Sequence, residues 1–364
     1  MRKPLRRMGL VDVDTSHAWV LGNYLRATGR ARVSHVVDSG LCRSAAYMHR
    51  LAAAFGAEIC GDVNEIVGAV DGALLLAARY DNRLERAAPL LKAGVPLFFD
   101  KPAAGTIGQV DLWQCWIDRG YPLLCGSSLP YCPELARIAR LVQDGAPAAL
   151  LVLGCREFFE HGIHAADIAL SIVQAPVRRV GWSAFGSSEL LWVETESPTQ
   201  LAITTEARAR WCVAANGVAG NAVTTLDVDF HRDCHYARLM RAFVDVAEGR
   251  PAAIAPQWHL EAIRLLIAGA RARETGRAVE VADLLPTDGF DGQRYAAEYA
   301  KRCRASEQVD APLEPSPAVL LAPAGSDGRP LRGWARRKQT AREAVVRLLG
   351  PRGRRIVKTA LGIT

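Results

Sequence analysis

The stretch Glu160-His161-Gly162-Ile163-His164-Ala165-Ala166-Asp167 sets a carboxylate four residues before a histidine, and Asp100-Lys101-Pro102 stands upstream of it. Residues four apart share one face of a helical turn, so Glu160 can orient or tune His164 while the imidazole handles a substrate proton. Lys101 adds an ammonium, the group that stabilises a developing alkoxide. An acid, an imidazole and an ammonium together suit hydride transfer at a carbon bearing a hydroxyl or carbonyl. Each has a plainer reading too: His164 as a packing histidine, Lys101 as a solvated strand-end lysine, Asp167 as a structural cap.

These groups need a frame. Short apolar runs at 8–11, 33–37, 73–78, 95–99 and 122–125 alternate with amphipathic stretches near 17–27, 42–55, 84–93 and 107–119, the pattern of a parallel sheet flanked by helices. After Pro130 the texture changes to a helix near 133–143, a strand near 148–154, a helix at 160–173 and alternating segments at 178–185, 189–195, 200–205, 209–215 and 222–230. These read as a mainly antiparallel sheet with helices on one face. A last helix runs from Pro256 to about Thr275, is closed by Gly276, and is followed by a returning strand at Val279-Glu280-Val281. His231 and His235, flanking Asp233 and Cys234, read as a polar turn. The fold class is therefore α/β: a Rossmann-like doubly wound domain over 1–125, an α+β domain with an open, mainly antiparallel sheet over 126–305, and a Pro/Gly-rich linker with a basic tail over 306–364.

Charge is unevenly spread. From Arg329 onward there are eleven Lys or Arg against Glu343, a balance of +10, which leaves −3 for the rest of a chain whose net charge is +7. The body is mildly acidic, so the basic tail suits an acidic partner or a membrane surface rather than making the main site a nucleic-acid binder. Its plain reading is a solvated tail. No apolar run reaches the length of a membrane span, and the nine cysteines form no CxxC pair and no metal-like cluster. The expected compartment is the cytoplasm.

A dinucleotide domain opens with a glycine-rich turn between its first strand and helix. Here the turn reads Gly9-Leu10-Val11-Asp12-Val13-Asp14-Thr15-Ser16-His17, with Asp12 and Asp14 where the first two glycines belong. Two carboxylates against a diphosphate repel it unless offset. Thr15 and Ser16 are good helix-capping types, which leaves the helix start sound. Asp38, at the end of the second strand, stands where a carboxylate holds ribose hydroxyls, which favours NAD over NADP, although Ser39 and Arg43 leave NADP open. Arg79 or Arg83 is expected to offset Asp12 and Asp14 or to bind a phosphate or carboxylate of cofactor or substrate.

Ala93-Gly94-Val95-Pro96-Leu97-Phe98-Phe99-Asp100-Lys101-Pro102, Gly162-Ile163-His164-Ala165-Ala166-Asp167 and Ala272-Arg273-Glu274-Thr275-Gly276-Arg277-Ala278-Val279 resemble motifs of the glucose-fructose oxidoreductase/inositol dehydrogenase/MocA family of NAD(P)-dependent oxidoreductases. The likeness spans roughly 5–285 and departs at the glycine loop and at Ala78-Arg79-Tyr80-Asp81-Asn82-Arg83. The resemblance implies a nicotinamide cofactor held by Asp12, Asp14, Thr15, Ser16, His17, Asp38, Ser39, Arg79 and Lys101. It implies His164 as proton donor or acceptor, Lys101 polarising the oxygen, and Glu160 in place of the family's aspartate. Substrate contacts are expected among Lys101, Tyr131, Glu157, His161, His164 and Tyr236, with Ser128 a further candidate. The expected activity is oxidation of a secondary alcohol, or reduction of a ketone, on a sugar, cyclitol or sugar-like metabolite, in a homo-oligomer formed through the second domain's sheet. Two rivals stand beside it: an enzyme that keeps its cofactor and uses transient oxidation for elimination, hydrolysis or epimerisation, and a non-catalytic Rossmann-derived partner protein.

Overall fold

Strands such as Met8–Val11 and Ala73–Leu75 are buried at every position, which requires cover on both faces of the sheet they enter. The computed structural model describes residues 5–143, 148–155, 158–185, 188–206, 211–226 and 232–307. Its first sheet contains β1 (Arg6–Val11), β2 (Ala31–Val37), β3 (Glu58–Cys60), β4 (Gly72–Leu75), β5 (Leu97–Phe99) and β6 (Leu123–Cys125). They lie in the order β3-β2-β1-β4-β5-β6, all parallel. The chain runs outward from β1 in one direction and from β4 in the other, so a crevice opens above their carboxyl ends, where such sheets bind ligands.

Helices α1 (His17–Ala27), α2 (Ala45–Phe55), α3 (Arg83–Lys92) and α4 (Ile107–Asp118) connect the strands. Their ends are set locally. Ser44 accepts the Tyr47 N–H at the start of α2, and Thr106 with Gln109 forms a capping box on α4.

The second sheet joins β7 (Ala148–Cys155), β8 (Val177–Phe185), β9 (Ser188–Thr195), β10 (Gln200–Glu206), β11 (Trp211–Gly217), β12 (Gly220–Leu226) and β13 (Val279–Glu280). The order is β12-β11-β7-β10-β9-β8-β13, antiparallel except between β7 and β10. Helices α5 (Ala136–Gln143), α6 (Gly162–Val173) and α8 (Gln257–Thr275) pack with this sheet into one continuous core with the Leu97 and Phe99 side of the first sheet. The other side of the first sheet, with Met8, Leu10 and Phe98, is covered by α1, α2 and α7 (Arg232–Ala247). Among the described residues no helix is long and apolar enough to cross a membrane.

Three elements differ from expectation. The turn read around His235 is the first part of α7, whose Tyr236, Leu239, Met240, Phe243 and Val244 follow a helical stripe onto the first sheet. The short edge strand β3 was not foreseen, nor was a final helix, α9 (Gly292–Glu307). The strand expected over 222–230 is present as β12 over Gly220–Leu226, and residues 227–230 and the basic tail lie outside the described residues.

Candidate active site

The turn after β1 shows how two aspartates replace glycines. Asp12 adopts φ 58°, a left-handed conformation that glycine accepts most readily. Its carboxylate accepts from the Ser39 N–H at 2.9 Å and from Arg86 Nε and Nη2 at 3.0 Å each. The expected counter-charge was Arg79 or Arg83; the observed one is Arg86, one helical turn beyond Arg83 on α3. Arg79 instead pairs with Asp81 at 3.0 Å. Asp38 accepts from the Val13 N–H at 3.0 Å and the Gly40 N–H at 3.2 Å. Thr15 Oγ1 accepts from the His17 N–H at 3.2 Å, whereas Ser16, at the N-cap itself, makes no side-chain cap bond.

Asp14 turns inward. It is fully buried, one carboxylate oxygen accepts the Ala78 N–H at 2.8 Å, and the other, Oδ1, is buried without a partner. Burial first, then the charges of Asp12 and Asp38, raise its pKa from 3.8 to about 6 despite the Ala78 hydrogen bond. The folded protein therefore holds this proton to higher pH than the unfolded chain, and stability falls as pH rises through that window. The displacement corresponds to about 3 kcal/mol. Asp14→Asn should remove the dependence, so its unfolding free energy should gain on the wild type by about 3 kcal/mol between pH 3 and 8 in urea titrations. Parallel curves for the two proteins would contradict this assignment.

Beyond β5 the chain enters a second polar cluster. Arg83, buried at the start of α3, donates to the carbonyls of Ala77, Asp100 and Pro102, tying the ends of β4 and β5 together. Asp100 accepts from the Lys101 N–H at 2.9 Å and pairs with His17 Nδ1 at 2.7 Å. Burial pushes its carboxyl up, but His17, Lys101 and Arg83 outweigh this and hold it at about 2. His17 Nε2 lies 3.2 Å from the Tyr236 hydroxyl, and Tyr236 stacks on Tyr24, so α7 closes one flank of the crevice.

Lys101 Nζ donates to the Glu160 carbonyl at 3.0 Å, just before α6, which carries His164. Burial, with some help from Arg83, lowers the ammonium's pKa from its ordinary 10.5 against the pull of Asp100. Burial and then the Lys101 charge hold His164 well below 6.5, so the ring is neutral near pH 7.

His164 Nδ1 lies 2.6 Å from Ser127 Oγ, not on the Glu160 carboxylate, because Glu160 precedes the first turn of α6. Asp167 is structural in the way the sequence suggested, accepting from the Ser127 N–H at 2.7 Å and facing His259 Nδ1 at 2.6 Å.

The remaining candidates divide. His161 lies beside His164, with ring centroids 6.4 Å apart. Ser128 Oγ lies 2.9 Å from His235 Nδ1, which makes the buried His235 part of this cluster. Tyr131 lines a small cavity together with Ser127, Asp167, Trp258 and His259. Ser39 contributes its backbone N–H to Asp12. Glu157 lies outside the described residues. Ser127, Arg86 and His259 escaped the sequence reading, since nothing local distinguishes them from ordinary surface or packing residues.

The turn fits a diphosphate: Asp12 is offset by Arg86, Asp14 faces the core, and the start of α1 is available as an anion site. The adenosine end is different. Ala296 and Ala300 of α9 pack on Cys42 after β2 and Ala78 after β4, with Tyr295 and Tyr299 alongside, and Tyr295 also meets the Tyr80 ring at 5.9 Å. α9 thus packs over the loops that follow β2 and β4.

No family model matches the sequence, and no curated protein does. Solved structures do. A probable dehydrogenase from Thermotoga maritima superposes with TM-score 0.66 at 16% identity, covering 77% of this chain and 100% of its own. The scyllo-inositol dehydrogenase of Lactobacillus casei, solved with NAD(H) and scyllo-inositol, gives 0.65 at 13% identity over 77% of this chain and 100% of its own. A myo-inositol dehydrogenase from Corynebacterium glutamicum gives 0.65 at 16% over 76% and 99%. The chain has the fold of these dehydrogenases. At such identities the likeness speaks for architecture, and chemistry rests on the side chains.

Proposed function

We propose that this protein is an NAD(P)-dependent oxidoreductase acting on a secondary hydroxyl or its ketone in a cyclitol, sugar or similar polyol. The observation that carries the reading is the placement of Lys101, at the carboxyl edge of β5 with Nζ on the Glu160 carbonyl, beside the start of α6, where burial first and then the Lys101 charge lower the His164 imidazole. Two polar side chains of lowered pKa in one crevice are the equipment for handling an alcohol proton near neutrality. In this reading the backbone at Thr15 and Ser16 holds the diphosphate and Asp38 the ribose hydroxyls. A bound nicotinamide supplies the hydride acceptor or donor. Lys101 and His164 grip the substrate oxygen, one moving its proton and the other donating a hydrogen bond.

The packing of α9 shapes the test. In this reading α9 has to move aside for the adenosine end of the dinucleotide, so calorimetric titration of the full chain with NAD(H) and NADP(H) should give weak binding. Ala296→Glu, which forces a charge into the contact with Cys42 and Ala78, should tighten binding by about tenfold or more. Absence of binding in both proteins at millimolar dinucleotide would overturn the oxidoreductase reading. Equal binding in both would leave α9 without a gating role. The same helix also favours a second reading, an enzyme that retains its dinucleotide through a transient oxidation. Steady growth of the reduced-nicotinamide absorbance during polyol turnover would rule that out.

A further inference from the structure

The loop after β6, Cys125-Gly126-Ser127-Ser128, is held against α6 and α8 by a chain of hydrogen bonds whose directions can be assigned. It begins at the Ala103 N–H, which donates to His259 Nε2 at 3.2 Å. An amide N–H can only donate, so Nε2 accepts and the ring proton sits on Nδ1. That proton points at Asp167 Oδ1, 2.6 Å away, and the carboxylate's other oxygen accepts the Ser127 N–H at 2.7 Å. Gly126 permits this approach: its φ is 117°, and a Cβ there would come within 3.1 Å of His259 Nδ1. Ser127 is thus pinned through its backbone.

Its hydroxyl is pinned as well. Ser127 is 3% exposed, and its Oγ accepts the Leu129 N–H at 3.1 Å. Among the described residues, the acceptor within reach of the hydroxyl proton is His164 Nδ1, at 2.6 Å. Were Nδ1 to carry a proton instead, the buried hydroxyl would have no acceptor, a costly arrangement.

We propose that Ser127 is a positioning residue that holds His164 as the neutral tautomer with its proton on Nε2. The inference rests on the oxidoreductase reading for its catalytic consequence, though not for its structural content. A neutral imidazole with Nε2–H donates a hydrogen bond to the substrate oxygen and cannot take the hydroxyl's proton there. The proton of an alcohol being oxidised then passes to the Lys101 amine, which burial keeps available in its neutral form at lower pH than an exposed lysine. Ser127 thereby decides which member of the pair is the hydrogen-bond donor and which the base.

Selective ¹⁵N-histidine labelling of the full chain, with His164 assigned by loss of its signals in His164→Gln, tests this directly. The wild type should show a protonated Nε2 and an accepting Nδ1. Ser127→Ala should mix the tautomers and lower kcat by about tenfold, the worth of one oriented hydrogen bond, with KM for the polyol changed less than about twofold. Ser127→Thr should restore the wild-type signature. A protonated Nδ1 in the wild type, or an unchanged signature in Ser127→Ala, would overturn the proposal. Failure of the oxidoreductase reading would instead appear as a wild type with the expected tautomer and no polyol turnover.

Discussion

Lys101→Met and His164→Ala should each reduce kcat for polyol oxidation by about 10²–10⁴-fold, and His164→Ala should also cost about 1–3 kcal/mol of stability because it leaves the buried Ser127 hydroxyl without its acceptor. The size follows from what each group meets. Lys101 is half-buried at the end of β5, with Nζ on the Glu160 carbonyl, and its removal leaves the crevice without the charge that lowers His164. His164 supplies the polar edge opposite it. The pH dependence separates their roles. A base must be unprotonated, so oxidation rises with pH along the Lys101 limb, and that limb should lie below 10.5 because burial lowers this pKa. His164, held well below 6.5, should contribute no limb in the neutral range. An acid limb near 6.5 that vanishes in His164→Ala would show the imidazole to be the base and reverse the two roles.

Arg83→Met should cost about 3–5 kcal/mol in urea unfolding, the largest stability loss expected of a single substitution near the site. The guanidinium is 2% exposed and answers three backbone carbonyls, those of Ala77, Asp100 and Pro102, which no other described donor is seen to satisfy. Methionine fills comparable space but leaves those oxygens buried and unpaired. Arg83→Lys should rescue little, because one ammonium cannot reproduce the guanidinium fork that reaches both strand ends. A loss below about 1 kcal/mol would mean that water reaches these carbonyls. Activity should fall along with stability, since the same bonds fix the segment bearing Lys101.

Some of this was legible in the linear chain because it depends on local periodicity. The apolar runs of β1, β4 and β5 and the amphipathic stretches of α1 to α4 each carry their own signal, and their alternation implies a parallel sheet. The stripes of α7 and α9, with Tyr236, Leu239, Met240 and Phe243 in one and Tyr295, Ala296, Tyr299 and Ala300 in the other, carry the same signal. They were hidden by strong polarity and by neighbouring turn-like residues. Lys101 and His164 were visible because both stand in recognisable motifs.

What pairs with what was not legible. Asp12 meets Arg86 rather than Arg79 or Arg83 because the first turn of α3 aims Arg83 into the strand ends and leaves the next turn facing the β1 loop. His164 meets Ser127 rather than Glu160 because α6 begins only at Gly162. In the altered glycine turn, which from composition alone seemed hostile to a diphosphate, one carboxylate turns into the core and the other is paired with an arginine 74 residues away. Sequence by itself determined the fold class and the types of most elements, since these follow from periodicity along the chain. The tertiary structure alone decided the charge pairing of the loop, the Ser127 partner of His164 and the packing of α9 on the loops after β2 and β4, since hydrogen bonds and desolvation act between residues that only folding brings together.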